Sequence, residues 1–103
     1  MPVTRHFSDD GKKLRIVVTD RFDESAMDAF RRAFVETIDS CEAYEIDLSA
    51  VTCMFSAGLG ILILLNENAR RNNASVKIIN PSTPAKRNLE LVFLHRMLDI
   101  CFV

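Results

Sequence analysis

The alternation of apolar and polar residues in the first part of the chain predicts a hairpin followed by a helix. Residues 3–7 and 13–19 have the β-branched, alternating composition of strands, and the turn-forming residues 8–12 separate them. The polar residues 20–23 interrupt this pattern. From residue 24 to residue 41 the apolar positions recur at three- and four-residue steps, which predicts an amphipathic helix with Asp23 as its N-cap.

The middle of the chain predicts a strand, a short loop and a second helix. Residues 44–48 alternate apolar and acidic side chains, as in a strand with one buried face. Residues 61–65 are an unbroken apolar block that fits either a buried strand or a helix. The glycines before this block, and the absence of Pro and Gly as far as Asn72, favour the helix. Ser56, in the intervening loop, is therefore expected at a helix N-terminus.

The last part of the chain predicts a short strand over residues 76–79, a third helix and a final strand over residues 100–103. Residues 80–84 end the short strand and cap the third helix, whose apolar positions continue to Leu98. Strands that alternate with helices predict parallel neighbours, and the terminal strands are expected to pair at an edge. The fold class is α/β, a single domain over residues 1–103, with a mixed sheet of about four or five strands and about three or four helices packed on it.

Composition excludes several functional classes. The chain of 103 residues has a formal net charge of -1, so no basic excess indicates nucleic acid or an anionic membrane surface as a partner. The longest apolar run, residues 59–65, is too short for a bilayer, and the first residues lack the features of a signal peptide. We expect a cytoplasmic protein without direct membrane insertion.

The three cysteines, Cys41, Cys53 and Cys101, show no CxxC spacing. His6 and His95 lie near none of them in sequence, so a zinc site is not indicated. Reduced thiols that serve as small core residues are the favoured interpretation, and no metal or cofactor is expected.

Ser56 has four candidate roles on the residues alone. A nucleophile would need a base, and neither histidine lies in a recognisable catalytic context; the glycine of a nucleophile elbow is also missing two residues before Ser56. A phosphate-binding loop would need a lysine, yet the first basic side chain after Ser56 is Arg70. Two roles remain open: an N-cap of the helix, or an acceptor of a phosphoryl group.

The segments around Ser56 resemble the STAS domains, most closely the bacterial anti-sigma factor antagonists. The strand end Ile46-Asp47-Leu48-Ser49 and the segment Phe55-Ser56-Ala57-Gly58-Leu59-Gly60 match the family's strand and Asp-Ser-Ser/Thr-Gly-Leu-Gly motif. Residues 76–81 and 84–89 are similar to its short strand, Asn-Pro turn and basic helix, and Asp23 to the acidic residue before its first helix. The resemblance covers nearly the whole chain, and Ser-x-Gly-Leu-Gly is its most specific part.

The resemblance implies a binding module without enzymatic activity, switched by phosphorylation of Ser56. The implied partners are an anti-sigma factor that is a serine kinase with a histidine-kinase-like ATPase fold, and a serine phosphatase that restores the unmodified form. We expect the docking surface to include the loop of residues 20–23 and the apolar neighbours of the serine. Its predicted members are Asp20, Asp23, Met54, Phe55, Ser56, Ala57, Gly58 and Leu59.

Two positions depart from the family pattern. Phe55 replaces the usual acidic residue before the serine, and Ala57 replaces the Ser or Thr after it. Ala57 leaves Ser56 as the single acceptor hydroxyl of this loop. Phe55 either enlarges an apolar docking patch or turns inward as core. A second possibility is a constitutive STAS subunit of a signalling or lipid-transport complex, in which Ser56 only caps the helix.

Overall fold

One mixed β-sheet with its strands in chain order is the frame of the protein. The computed structural model describes residues 3–91 and 99–101, and in these ranges the sheet has five strands and carries three helices. In chain order the elements are β1 (Val3–Phe7), β2 (Lys13–Phe22), α1 (Glu24–Val35), β3 (Ala43–Met54), α2 (Ser56–Arg71), β4 (Ser75–Ile79), α3 (Thr83–Leu91) and β5 (Asp99–Cys101).

The sheet confirms the predicted α/β class. β1 is antiparallel to β2, and every later pair, β2–β3, β3–β4 and β4–β5, is parallel. The expected pairing of the terminal strands is wrong, because β1 and β5 lie at opposite edges of the sheet. The predicted continuation of the third helix over residues 92–98, and the end of the last strand at residues 102–103, lie outside the described residues.

The core lies on one face of the sheet. Alternate residues of β2, β3 and β4 are buried there beneath α1 and α2, which also pack on each other, and α3 packs on β3. The intervening positions are mostly polar: Glu45 of β3 pairs with Arg15 of β2 at 3.2 Å and with Lys13 at 3.8 Å. The largest fully buried side chains are Tyr44, Phe22, Phe30, Phe34, Leu14, Ile16, Ile46, Leu48, Leu62, Leu65, Ile78 and Leu89.

β2 and β3 are both longer than the sequence pattern predicts. Their pairing contains two register irregularities, between Val17 and Thr19 and between Asp20 and Arg21, and Asp20 has a positive φ of 64°. Each irregularity shifts which side chains face the core, so simple alternation stops before the strands do. The pairing continues to Phe22 opposite Met54. The predicted loop before Ser56 is thereby reduced to a single residue.

Asp23 caps α1 as predicted. Its Oδ1 accepts hydrogen bonds from the Ser25 backbone N–H at 2.9 Å and from the Ser25 hydroxyl, and its Oδ2 lies 3.3 Å from Arg21 Nε. The hydrogen bonds from Ser25, and then the charge of Arg21, hold the pKa of Asp23 below its usual value. The ionised carboxylate also suits the positive end of the α1 dipole.

α1 ends at Val35, six residues before the predicted end at Cys41. A series of turns follows. In these turns the Thr37 hydroxyl donates a hydrogen bond of 3.0 Å to the Ala33 carbonyl oxygen. It also shares a hydrogen bond of 3.0 Å with the Tyr44 hydroxyl. Burial raises the pKa of Tyr44. The apolar periodicity persists to Cys41 because the turn residues, although no longer helical, still place Ile38 and Cys41 against the core.

α2 begins against the end of β2. A Cβ at Gly58 would lie 2.7 Å from the Phe22 carbonyl oxygen and 2.9 Å from Phe22 Cγ, so only glycine fits this approach. A Cβ at Gly60 would meet nothing within 4 Å. Tight packing therefore explains the glycine at position 58 but not the one at position 60.

We expect Gly58→Ala and Gly60→Ala to change stability in opposite directions. Gly58→Ala forces α2 away from Phe22 and is expected to lower the free energy of unfolding by about 1–3 kcal/mol. Gly60→Ala adds a helix-favouring residue in open space and is expected to raise it by about 0.5–1 kcal/mol. Urea unfolding of both variants measures this, and stabilisation by Gly58→Ala would contradict the packing described here.

The Asp23 cap predicts a pH-dependent stability. Its pKa is lowered by folding, so its contribution is present above the unfolded-state pKa of about 3.9 and is lost as the pH falls through the folded-state pKa. Asp23→Asn keeps an N-cap side chain that does not titrate. In urea unfolding we expect wild type to be more stable than Asp23→Asn at neutral pH, with a difference that shrinks below about pH 4. A difference that stays constant through this range would show that the charge does not contribute.

Candidate functional site

The carboxyl ends of β2 and β3 bring the starts of two helices to the same edge of the sheet. Phe22 pairs with Met54 at these ends, so α1 and α2 begin side by side. An open depression lies between the two starts; we call it the Ser56 depression. The edge beyond the carboxyl ends of parallel strands is the common position of binding sites in α/β proteins. The depression is lined by Arg21, Asp23, Glu24, Ser25, Phe55, Ser56 and Ala57.

Ser56 is the first residue of α2 and does not cap it. The N-cap is Phe55, in extended conformation, which offers no side-chain hydrogen bond. Ser56 is exposed, and within the described part of the chain its hydroxyl has no hydrogen-bond partner. The first intrahelical bond runs from the Leu59 N–H to the Phe55 carbonyl at 3.2 Å, so the N–H groups ahead of it have no helical acceptor. Of the two roles left open for Ser56, the N-cap role is therefore excluded.

The two adjacent helix starts differ in charge. At α1, the Asp23 carboxylate already occupies the position where backbone N–H groups attract an anion. At α2, no acidic residue lies in the first turn and no side chain caps it. An anion attached to Ser56 would therefore meet unused donors at α2.

Phe55 lies at the surface rather than in the core. The residue is 39% exposed, and the Arg21 guanidinium carbon lies 5.0 Å from the ring centroid, within the range of a cation–π contact. A hydrogen bond of 3.1 Å from the Phe55 N–H to the Phe22 carbonyl fixes its backbone. The aromatic residue that replaces the family's acid is therefore an exposed support for Arg21.

The structure divides the predicted docking residues into three groups. Asp23, Phe55, Ser56 and Ala57 line the Ser56 depression. Asp20 is exposed but lies outside this lining, and its carboxylate accepts a 3.1 Å hydrogen bond from Thr52. The other three are more enclosed and present less side-chain surface to a partner: Met54 is 7% exposed, Gly58 is buried and Leu59 is half-buried.

Glu24 and Ser25 are site residues that the sequence reasoning did not single out, and Arg21 was included only as part of the loop of residues 20–23. Ser25 had a recognisable signal, because a Ser two residues after an Asp N-cap commonly completes the hydrogen-bonded start of a helix. The contact of Arg21 with Phe55 had no such local signal, since it joins the end of β2 to the residue that follows β3. Its position follows from the register in which Arg21 pairs with Cys53.

No histidine approaches Ser56 in the described residues. His6 lies on β1 opposite Arg15. Arg15 is seven residues before the end of β2, so His6 lies about 23 Å from the end of the sheet where Ser56 is found. His95 is outside the described residues. In residues 3–91 and 99–101 there is no group of three potential metal-ligating side chains, and no helix there is long and apolar enough to cross a membrane.

The cysteines only partly follow the expectation that they are core residues. Cys41 is buried, but Cys53 is exposed on β3, where the bulged pairing with β2 turns its side chain outward. The Cys101 side chain is not among those described.

Comparison with known protein families and sequences identifies a STAS domain in both cases. The family model described as "Mlab, STAS domain" matches residues 6–99. A STAS-domain-containing protein of Pseudomonas aeruginosa (strain UCBPP-PA14) is 31% identical over 100 residues, covering 97% of this chain and 99% of that protein.

Solved structures show the same fold. An anti-sigma factor antagonist from Mycobacterium paratuberculosis has a TM-score of 0.81 at 25% identity, covering 98% of this chain and 86% of that one. The anti-sigma factor antagonist SpoIIAA, unphosphorylated, has a TM-score of 0.80 at 14% identity, covering 98% and 88%. SpoIIAA of Bacillus in its phosphorylated form has a TM-score of 0.77 at 12% identity, covering 97% and 91%. With a family model that spans most of its length and a relative that shares nearly all of it, the chain belongs to the STAS domain family.

Proposed function

We propose that this chain is a regulatory binding module of the anti-sigma factor antagonist type. The unmodified form binds an anti-sigma factor that is also a serine kinase with a histidine-kinase-like ATPase fold. Phosphorylation of Ser56 weakens this binding, and a serine phosphatase reverses it. The observation that carries the proposal is the exposed Ser56 hydroxyl, without a partner in the described residues, at the uncapped start of α2.

The fold can carry a phosphate at Ser56 with little loss of stability. No side-chain hydrogen bond caps α2, so modification displaces none. The first-turn N–H groups and the positive end of the helix dipole favour a phosphate there. The domain is therefore expected to stay folded in both states, as a reversible switch requires.

The same phosphate would oppose docking. It adds a charge of about -2 at pH 7, with its hydration shell, beside the exposed Phe55 ring. Asp23 and Glu24 already contribute two carboxylates to the Ser56 depression. A partner that covers this surface would have to desolvate the phosphate among like charges, which raises the cost of binding.

The comparisons support the proposal at the level of the family. Two structural neighbours are described as anti-sigma factor antagonists, and one of them, SpoIIAA, is known in unphosphorylated and phosphorylated forms. Both forms of SpoIIAA share the fold of this chain. A phosphorylated state of that protein is thus compatible with an architecture of this kind.

Binding by Ser56 variants tests the switch. We expect Ser56→Ala to bind the kinase-like regulator as wild type does, and Ser56→Asp to bind at least about tenfold more weakly, a difference of about 1.4 kcal/mol. Calorimetric titration against purified regulators of this ATPase fold from the same organism gives the dissociation constants. Ser75→Asp is the matched control. Ser75 is exposed at the start of β4, so it lies at the amino ends of the parallel strands, whereas Ser56 lies at their carboxyl ends. Equal binding by wild type, Ser56→Ala and Ser56→Asp would exclude the switch while leaving a docking role.

A constitutive STAS subunit is the second candidate. Phe55 in place of the family's acid favours it, because a carboxylate next to the acceptor helps position a hydroxyl or a kinase-bound metal ion. In this alternative the same surface docks a permanent partner and Ser56 is never modified.

Intact-mass measurement of the protein isolated from its native cell separates the two candidates. The switch predicts a species heavier by one phosphoryl group in at least one growth condition, which Ser56→Ala abolishes. Absence of such a species in every growth condition would contradict the switch and favour the constitutive subunit. A phosphorylated species that persists in Ser56→Ala would place the modification at another residue.

A further inference from the structure

Arg21 has a distinctive position in the Ser56 depression. Among the described residues that line the depression, Arg21 carries the positive charge, while Asp23 and Glu24 carry negative charges. A phosphate on Ser56 would enter this acidic setting with Arg21 as its neighbouring counter-charge. The geometry around Arg21 therefore determines how the modified state is stabilised.

The present contacts of Arg21 are weak enough to rearrange. Its side chain is 60% exposed, and its Nε lies 3.3 Å from Asp23 Oδ2. Ion pairs at such exposed positions contribute little. Asp23 does not depend on this pair, because its other oxygen accepts two hydrogen bonds from Ser25, which keep α1 capped.

Phe55 holds Arg21 without consuming its hydrogen-bond donors. A guanidinium group over an aromatic ring is attracted through its face, while its N–H donors point outward in its own plane. The guanidinium carbon is 5.0 Å from the ring centroid, and Phe55 is the residue directly before Ser56. An acid at position 55 would instead compete with a phosphate for those donors.

We propose that Arg21 pairs with the phosphate of phosphorylated Ser56, supported by the Phe55 ring. This inference rests on the proposed phosphorylation of Ser56. On modification, Arg21 exchanges the Asp23 carboxylate for the phosphate dianion, which its planar fork of donors can bind through two hydrogen bonds. Phe55 thus has a role in the modified state that the family's acid could not perform.

The test is a phosphorus NMR titration of protein that carries phosphoserine at position 56, introduced during translation so that no kinase is needed. A nearby cation favours the dianion, so the second pKa of the phosphate, ordinarily about 6, is expected to be lower in wild type than in Arg21→Gln, by about half a unit or more. Arg21→Lys keeps the positive charge but loses the planar arrangement of donors, so its phosphate pKa is expected to lie between those of wild type and Arg21→Gln.

Arg71→Gln is the matched control. Arg71 is exposed at the far end of α2, about 22 Å from Ser56, and its removal changes the net charge equally. A phosphate pKa that is the same in wild type and Arg21→Gln would overturn the proposal, as would an equal shift in Arg21→Gln and Arg71→Gln. Either result leaves the proposed switch intact, because no partner takes part. Conversely, if the binding experiments exclude the switch, this titration can still show whether Arg21 pairs with a phosphate on Ser56.

Discussion

The pairing of β2 with β3 as far as Phe22 and Met54 is the constraint on which the rest of the site depends. Because this parallel pair continues through two irregularities to its end, the next residue, Phe55, is held by a hydrogen bond to the Phe22 carbonyl. α2 must then begin at once, against Phe22, at a distance that only Gly58 permits. The backbone of Ser56 is therefore fixed by packing on both sides, and no loop flexibility is available at that point.

The two neighbouring helix starts that this pairing holds in place carry different charges. The start of α1 holds a built-in negative charge, because Asp23 is both its cap and the ion-pair partner of Arg21. The start of α2 is also the positive end of a helix dipole, but it has no acidic side chain in its first turn. A phosphate on Ser56 would place a negative charge at the start of α2, as the Asp23 carboxylate does at the start of α1. The switch would then require no change of fold, only a change in the charge that the surface presents.

The sequence predicts much of the architecture because most of its signals are local. The hairpin turn at residues 8–12, the Asp23 cap and the change from alternating to helical periodicity each depend on a few adjacent residues. The lengths of β2 and β3 could not be predicted, since their irregular pairing depends on which residues meet across strands. For the same reason Cys53 was expected in the core and lies at the surface.

The candidate site was predictable in its motif but not in its electrostatics. Ser-x-Gly-Leu-Gly located the start of α2, and Asp23 was identified from its place before the first helix. The contact of Arg21 with Phe55 depends on the register of strands more than thirty residues apart in sequence. The burial of Met54 depends on the end of β3, which the pattern put six residues too early.

The contrast between Gly58 and Gly60 has a consequence for mutational scanning of this domain. A selection for folding alone would retain glycine at position 58 and would permit its replacement at position 60, where a methyl group meets only solvent. Gly60 lies one turn from Ser56 on the same face of α2. Substitutions there that preserve abundance but lose a cellular phenotype would mark the footprint of the partner directly, without the confounding effect of unfolding.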